Sequence, residues 1–286
     1  MFGDTLALTN RFLKKWIRNP AAMMPGLFMA VFWLALFGSS FNPANLVPTQ
    51  IGGTALAPGL VEQIRAAMTS VFGGAANYIT FLTAGIISFV VIINAAYGGI
   101  DIVLDRQLGY LNSLLSAPIS RASIFFSGVM QNFVKAMFIA LLTFIVGFLL
   151  PNGLQVGMGF GVLNFIGIFV AFGLLTFGFG CLFTSLAYSV RQVDSLVAIV
   201  NFLAFPLIFM SSAIFPLGNF PSWLKAIAQV NPITKACETA RLLIVNGNLT
   251  AAQLSTFAGN MLYLVVFAVI FATIGYLISR KALRAE

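Results

Sequence analysis

Long runs of residues with almost no charge fix what this chain can fold into. They cover 21–40, 78–100, 124–150, 161–187, 195–215 and 257–279. A helix needs roughly 20 apolar residues to cross the ~30 Å hydrocarbon core of a bilayer. Inside hydrocarbon, a helix satisfies its own backbone polar groups, whereas an open loop does not. The expectation is an all-α integral membrane protein in which residues 1–286 form one transmembrane domain of six spanning helices.

Composition agrees. Apolar residues make up 60% of the chain and charged residues 8%, against about 45–50% and about 25% in soluble domains. A soluble core of this size cannot hide that surplus. The chain has no histidine, so the commonest general base and metal ligand is missing. No catalytic residue and no metal site is expected, and nothing in the chain suggests a bound cofactor. Cys181 and Cys237 fall on opposite sides in the six-span topology, which argues against a disulfide. The net charge of +8 sits at the ends of apolar segments. That is a membrane pattern rather than a nucleic-acid surface.

The first residues do not read as a cleavable signal. Residues 2–18 read instead as an amphipathic interfacial helix ended by Pro20. Phe2, Leu6, Leu13, Trp16 and Ile17 share one face, and Arg11, Lys14, Lys15 and Arg18 the other. Such a helix lies in the headgroup region with its cations toward anionic lipid. Basic residues near the other span ends set the orientation. Arg106, Arg121, Arg191 and Arg280 join the basic N-terminus on one side, while Arg65, Lys225, Lys235 and Arg241 lie on the other. The richer side faces the cytoplasm by the positive-inside rule, so both termini are placed there. Residues 41–77 read as an outer loop with Pro43, Pro48 and Pro58, and with a short helix around Glu62 and Arg65. Residues 216–246 hold two apolar stretches too short to span, which read as re-entrant helices broken by Pro216, Pro221 and Pro232, with Trp223 at the interface.

The inner loop 101–121 is the most informative segment. Leu104, Leu108, Leu111 and Leu115 recur at helical spacing, with Tyr110 and Leu114 beside them. Asp105, Arg106, Gln107 and Asn112 form the polar side, Pro118 ends the helix and Ser120 caps the next. One amphipathic helix is expected here, docking either on a partner's groove or on lipid.

The string LDRQLGYLNSLLSAPISR, following a span that opens NYITFLTAG, resembles the characteristic region of type-2 ABC exporter permeases, closest to the daunorubicin-resistance-like drug-efflux branch. A second matching region runs from Ser211 to Arg241, SSAIFPLGNFPSWLKAIAQVNPITKACETAR. FLTAG lacks the proline that many relatives carry before that glycine, and the usual acidic pair of the loop is reduced to Asp101 and Asp105. The resemblance implies that Asp105, Arg106, Leu108, Leu111, Leu114, Leu115 and Pro118 belong to the coupling helix. It also implies that Phe215, Pro216, Pro221, Trp223, Asn231 and Pro232 mark the outer re-entrant hairpin. It further implies a homodimer in the plasma membrane that binds two copies of an ATPase subunit, with ATP and Mg on that partner. No G-x-x-x-x-G-K-[ST] phosphate loop occurs in the chain, so its motor must be another subunit.

Lys135 is a lone cation inside an apolar segment, near Gln131 and Asn132. It either snorkels to the headgroups or lines the mouth of a substrate path. Asn94 and Asn201 join it as candidate path residues, or else, with Asn164, Thr176 and Ser185, they tie helices together. The aromatic run Phe202, Phe205 and Phe209 reads either as packing or as a pocket wall. A drug-like molecule or a lipid is the leading substrate class, and a polysaccharide or glycolipid the alternative. An ion-coupled transporter would need carboxylates within the spans, and the spans as drawn hold none.

Overall fold

A computed structural model describes residues 2–19, 24–40, 50–51, 54–55, 57, 59–61, 63–64, 72, 74–75, 77–151 and 153–283. Helix α1 (Phe2–Ile17) leads to α2 (Met24–Ser40). Two short strands, β1 (Gln50–Ile51) and β2 (Thr54–Ala55), pair antiparallel with Gln50 opposite Ala55. Then come α3 (Tyr78–Tyr97), α4 (Ile100–Gln107), α5 (Tyr110–Ser116), α6 (Arg121–Leu149), α7 (Val162–Ser189) and α8 (Val193–Phe209). Helices α9 (Ser222–Val230), α10 (Pro232–Val245) and α11 (Ala251–Ala282) complete the chain. Residues 59–61 and 63–64 are helical. Glu62, Arg65, Pro20 and the loop prolines lie outside the described residues.

Among the described residues, four helices are long and apolar enough to cross a membrane: α6, α7, α11 and the 30-residue rod made of α3 and α4. Apolar helices α2 and α8 are shorter, at 17 residues each. Polar caps set several of the starts. Asn77 accepts the Thr80 amide at 2.8 Å to open α3, Ser120 caps α6 through the Ser123 amide, and Thr250 with Gln253 forms a capping box on α11. Such caps satisfy amide groups that have no partner within the helix.

Helix α3 is the hub. Its residues 78–92 are all buried, under α2, α6, α7, α8 and α10. Helix α11 packs on α7 and leaves most of its apolar surface exposed, as suits a helix whose solvent is lipid.

Three sequence expectations change. The segment 101–121 is not one helix. Gly109, at φ 73°, sits in the left-handed region that only glycine enters freely, and it divides α4 from α5. The span drawn at 78–100 also runs on: Gly98 and Gly99 keep right-handed helical angles, so Asp101 and Asp105 belong to the rod. The helix expected over 195–215 stops at Phe209, three residues beyond Pro206.

Candidate functional site

One end of the bundle, here the α4 end, gathers most of the ion pairs among the described residues. Arg11 of α1 reaches Asp105 at 3.0 Å, and its guanidinium lies 3.6 Å from the centre of the Tyr110 ring. One turn along, Lys15 reaches Asp101 at 3.3 Å. Two cations four residues apart thus meet two carboxylates four residues apart, in antiparallel register. Asp101 has a second partner, the Lys135 ammonium of α6 at 2.8 Å. Lys135 also donates to Gln131 Oε1 at 3.1 Å and is 7% exposed. A buried ammonium without such partners would be costly. Lys135 is thus held by a carboxylate 34 residues away in sequence, the same one that pairs with Lys15 of α1.

Above this network lies a cavity of about 520 Å³. Trp16, Met29, Phe89, Ile93 and Phe205 are among its apolar walls, and Asn94, Tyr97, Asp101 and Lys135 give it polar groups. Asn94 donates to the Val90 carbonyl at 2.8 Å. Asn201 lies just behind, accepting from the Tyr97 hydroxyl at 2.6 Å. All three candidate path residues, Lys135, Asn94 and Asn201, are therefore at or against one cavity. Of the aromatic run, Phe205 lines it, whereas Phe202 is 79% exposed.

The coupling residues are arranged unlike the expected single leucine face. Arg106 donates to the Val190 and Tyr188 carbonyls at 2.6 and 2.5 Å, and Asp105 accepts from Arg11 as above, so both anchor the segment to its own chain. Leu111 is 3% exposed and belongs to the core, with Leu114 and Leu115 packed partly against it. It is Leu108, 79% exposed, that points outward, with Leu104 a turn before it. Pro118 follows the end of α5.

At the opposite end, α9 and α10 form two short helices, neither long enough to span. Asn231 joins them. Its side chain accepts from the Ile233 amide at 2.9 Å and donates to the Leu207 and Met210 carbonyls at 2.6 and 3.0 Å. Pro232 follows at the first position of α10, where a missing N–H costs nothing. Pro216 and Pro221 flank a single 3-10 turn, and Phe215 and Trp223 are exposed. Sequence reading treated Arg241 only as an outer cation. It is buried, with Nε donating to the Phe81 carbonyl at 3.0 Å, one terminal nitrogen to Ser212 Oγ at 3.2 Å and the other to the Ala213 carbonyl at 3.0 Å. Its guanidinium is 3.5 Å from the Phe81 ring centre. One turn earlier, burial pushes the Glu238 carboxyl up, against the opposing pull of Lys235 and Arg241. Cys181 and Cys237 are free and buried, and no group of three or more metal-ligating side chains occurs among the described residues.

Residues 4–245 match the family described as ABC-2 type transporter. A protein of Cyanophora paradoxa named as a transport permease, ycf38, is 29% identical over 99% of this chain and 89% of its own length. Its counterpart from Porphyra purpurea is 33% identical over 84% and 73%. A Mycobacterium tuberculosis protein named as a doxorubicin resistance ABC transporter permease, DrrC, is 26% identical over 96% and 88%.

Proposed function

The chain belongs to the ABC-2 type transporter family and is the membrane subunit of an ABC transporter, and from that premise we propose that it exports a hydrophobic or amphipathic molecule using ATP hydrolysed on a separate subunit. In this reading six helices, α2, the α3–α4 rod, α6, α7, α8 and α11, span the plasma membrane with both termini in the cytoplasm. Two copies pair and two ATPase subunits dock beneath them. ATP and Mg stay on those subunits.

The cavity carries the reading. Its walls are largely apolar, which suits a drug-like molecule or a lipid tail better than a polysaccharide. Its polar groups sit at the α4 end, where a substrate entering from the cytoplasmic leaflet would leave its polar part. The charges there are already paired, so they can hold a dipole or a headgroup without leaving a bare ion in hydrocarbon. The segment that borders the ATPase in this reading supplies Asp101 to the cavity wall. A push on Leu104 and Leu108 would therefore reach the substrate compartment through one helix. At the far end, α9 and α10 form the lid over the exit, with Trp223 in the headgroup layer.

The test fills the cavity. Met29→Trp adds an aromatic ring to its wall. With the chain and its ATPase in vesicles, export of an amphipathic fluorescent dye should fall at least ~10-fold while insertion and basal ATP hydrolysis persist. Export at the original rate would overturn the assignment of the cavity to substrate.

A further inference from the structure

A second pocket at the α4 end, of about 370 Å³, has no part in the scheme above. It lies between Arg106, Tyr188, Ser189, Arg191, Ile278 and Lys281. Three cations from three elements converge there: α4, the turn between α7 and α8, and the last turn of α11. No carboxylate lines it among the described residues. Asp105, next to Arg106 in sequence, pairs with Arg11, and Asp194, three residues past Arg191, lies in the first turn of α8 outside the pocket lining. The site is also braced from within, because Arg106 is held by the Tyr188 and Val190 carbonyls and Gln107 donates to the Arg191 carbonyl at 3.1 Å. Arg191 and Lys281 are exposed. Three like charges fixed in one hollow repel each other, and an anion placed among them removes that cost.

The pocket continues into an apolar track. Ile278, Ile274 and Ile270 follow Lys281 up one side of α11 at four-residue spacing, each about half exposed. At 1.5 Å per residue the track from Lys281 to Ile270 runs about 16 Å, close to half of the ~30 Å hydrocarbon core. That is the reach of one acyl chain in one leaflet. A free phosphate would use the cations and ignore the track.

We propose that this pocket binds the phosphate headgroup of an anionic phospholipid, with a chain laid along Ile278, Ile274 and Ile270. Basic pockets between membrane helices recognise such headgroups through charge at close range. The proposal needs the helices to cross a membrane, but it is independent of what the protein transports and in which direction. Its consequence is mechanical. Because Arg106 belongs to α4, a bound lipid ties the coupling segment to α11, so an anionic bilayer stiffens the joint through which the ATPase acts.

The experiment is native mass spectrometry of the full-length protein, titrated in separate arms with phosphatidylglycerol, phosphatidylcholine and inorganic phosphate. Phosphatidylglycerol should bind most tightly. Arg191→Gln with Lys281→Gln should weaken it roughly 30-fold, since each basic residue near an anionic headgroup contributes about fivefold. The same double variant should leave phosphatidylcholine unaffected, and Arg191→Lys with Lys281→Arg should bind as the parent does. Lys225→Gln, on α9 at the opposite end, serves as the control and should also bind as the parent does. If the double variant elutes as an aggregate, Arg191→Gln alone is measured, with about fivefold expected. Unchanged phosphatidylglycerol binding, an equal loss in the α9 control, or inorganic phosphate binding as tightly as the lipid would each overturn the proposal.

Discussion

The α4 end of this protein is held by pairs of opposite charge, and the hairpin end by side chains that grip backbone carbonyls. At the α4 end, Arg11, Lys15 and Lys135 meet Asp101 and Asp105 across three helices. Arg11, Lys15 and Asp101 are partly exposed while Asp105 and Lys135 are buried, and each pair joins separate elements, so it can be made or broken without unfolding a helix. At the hairpin end, Arg241 and Asn231 between them reach the carbonyls of Phe81, Ala213, Leu207 and Met210. The Leu207, Met210 and Ala213 carbonyls lie at a helix C-terminus or in irregular chain, where no helix supplies a donor, so losing the side-chain donor leaves them unsatisfied wherever water is excluded. The difference teaches which end is built to stay and which to move. Exchangeable charge sits where an ATPase would push, and fixed carbonyl capture where two short helices turn back on the bundle.

Breaking the fixed end should have the largest effect. Arg241→Met leaves two carbonyls and a serine without their donor. Hydrogen bonds from a charged group are worth about 1.5–3 kcal/mol each, so losing three is expected to cost at least about 4.5 kcal/mol. It would be read as a large drop in the thermal unfolding midpoint in detergent, with Arg241→Lys recovering part of it. A midpoint equal to the parent's would mean that the hairpin is held by packing alone.

The movable end should give a smaller response. A double-mutant cycle of Arg11→Ala and Asp105→Ala should return a coupling of about 0.5–1 kcal/mol. That coupling should shrink in 1 M salt, where the screening length is about 3 Å, while the Arg241 effect should not. A coupling as large as the Arg241 loss and indifferent to salt would erase the contrast between the two ends.

Smallest of all in stability is Leu108→Asp. This residue touches little of its own chain, so the change should stay within about 0.5 kcal/mol. Copurification with the ATPase should nonetheless fall at least ~10-fold. Retention of both partner and export would remove the α4 surface from the coupling scheme.

The spans were legible because length and the absence of charge are local properties of a sequence. Ser120 as a cap was legible for the same reason. Burial was not. Leu104, Leu108, Leu111 and Leu115 form a leucine repeat, yet Gly109 in a left-handed conformation turns α5 away from α4 and sends Leu111 into the core. A charge at Leu111 is consequently a lesion of the fold rather than a probe of docking. The partner of Lys135 was hidden because the first carboxylate preceding it, Asp105, pairs elsewhere, and Asp101 reaches it across 34 residues. A signal for the α1 clasp did exist. Arg11 and Lys15 share the four-residue spacing of Asp101 and Asp105, and two such ladders can be zipped together. Arg241, a single cation in the apolar stretch 236–245, could have been singled out on the same grounds as Lys135.

The α3–α4 rod has unequal arms. Gly98 is where it meets α6, and so closely that a β-carbon there would fall 1.9 Å from Asn132 Oδ1. Tyr78 lies 20 residues from that contact and Gln107 nine on the other side, about 30 Å and about 14 Å at 1.5 Å per residue. A stiff bar rocking on such a fulcrum moves its long end about twice as far as its short one. A nudge of 1 Å at Arg106 would call for roughly 2 Å beside Arg241, where the grip on the Phe81 and Ala213 carbonyls resists it, so that grip bears the load of a push at the coupling end.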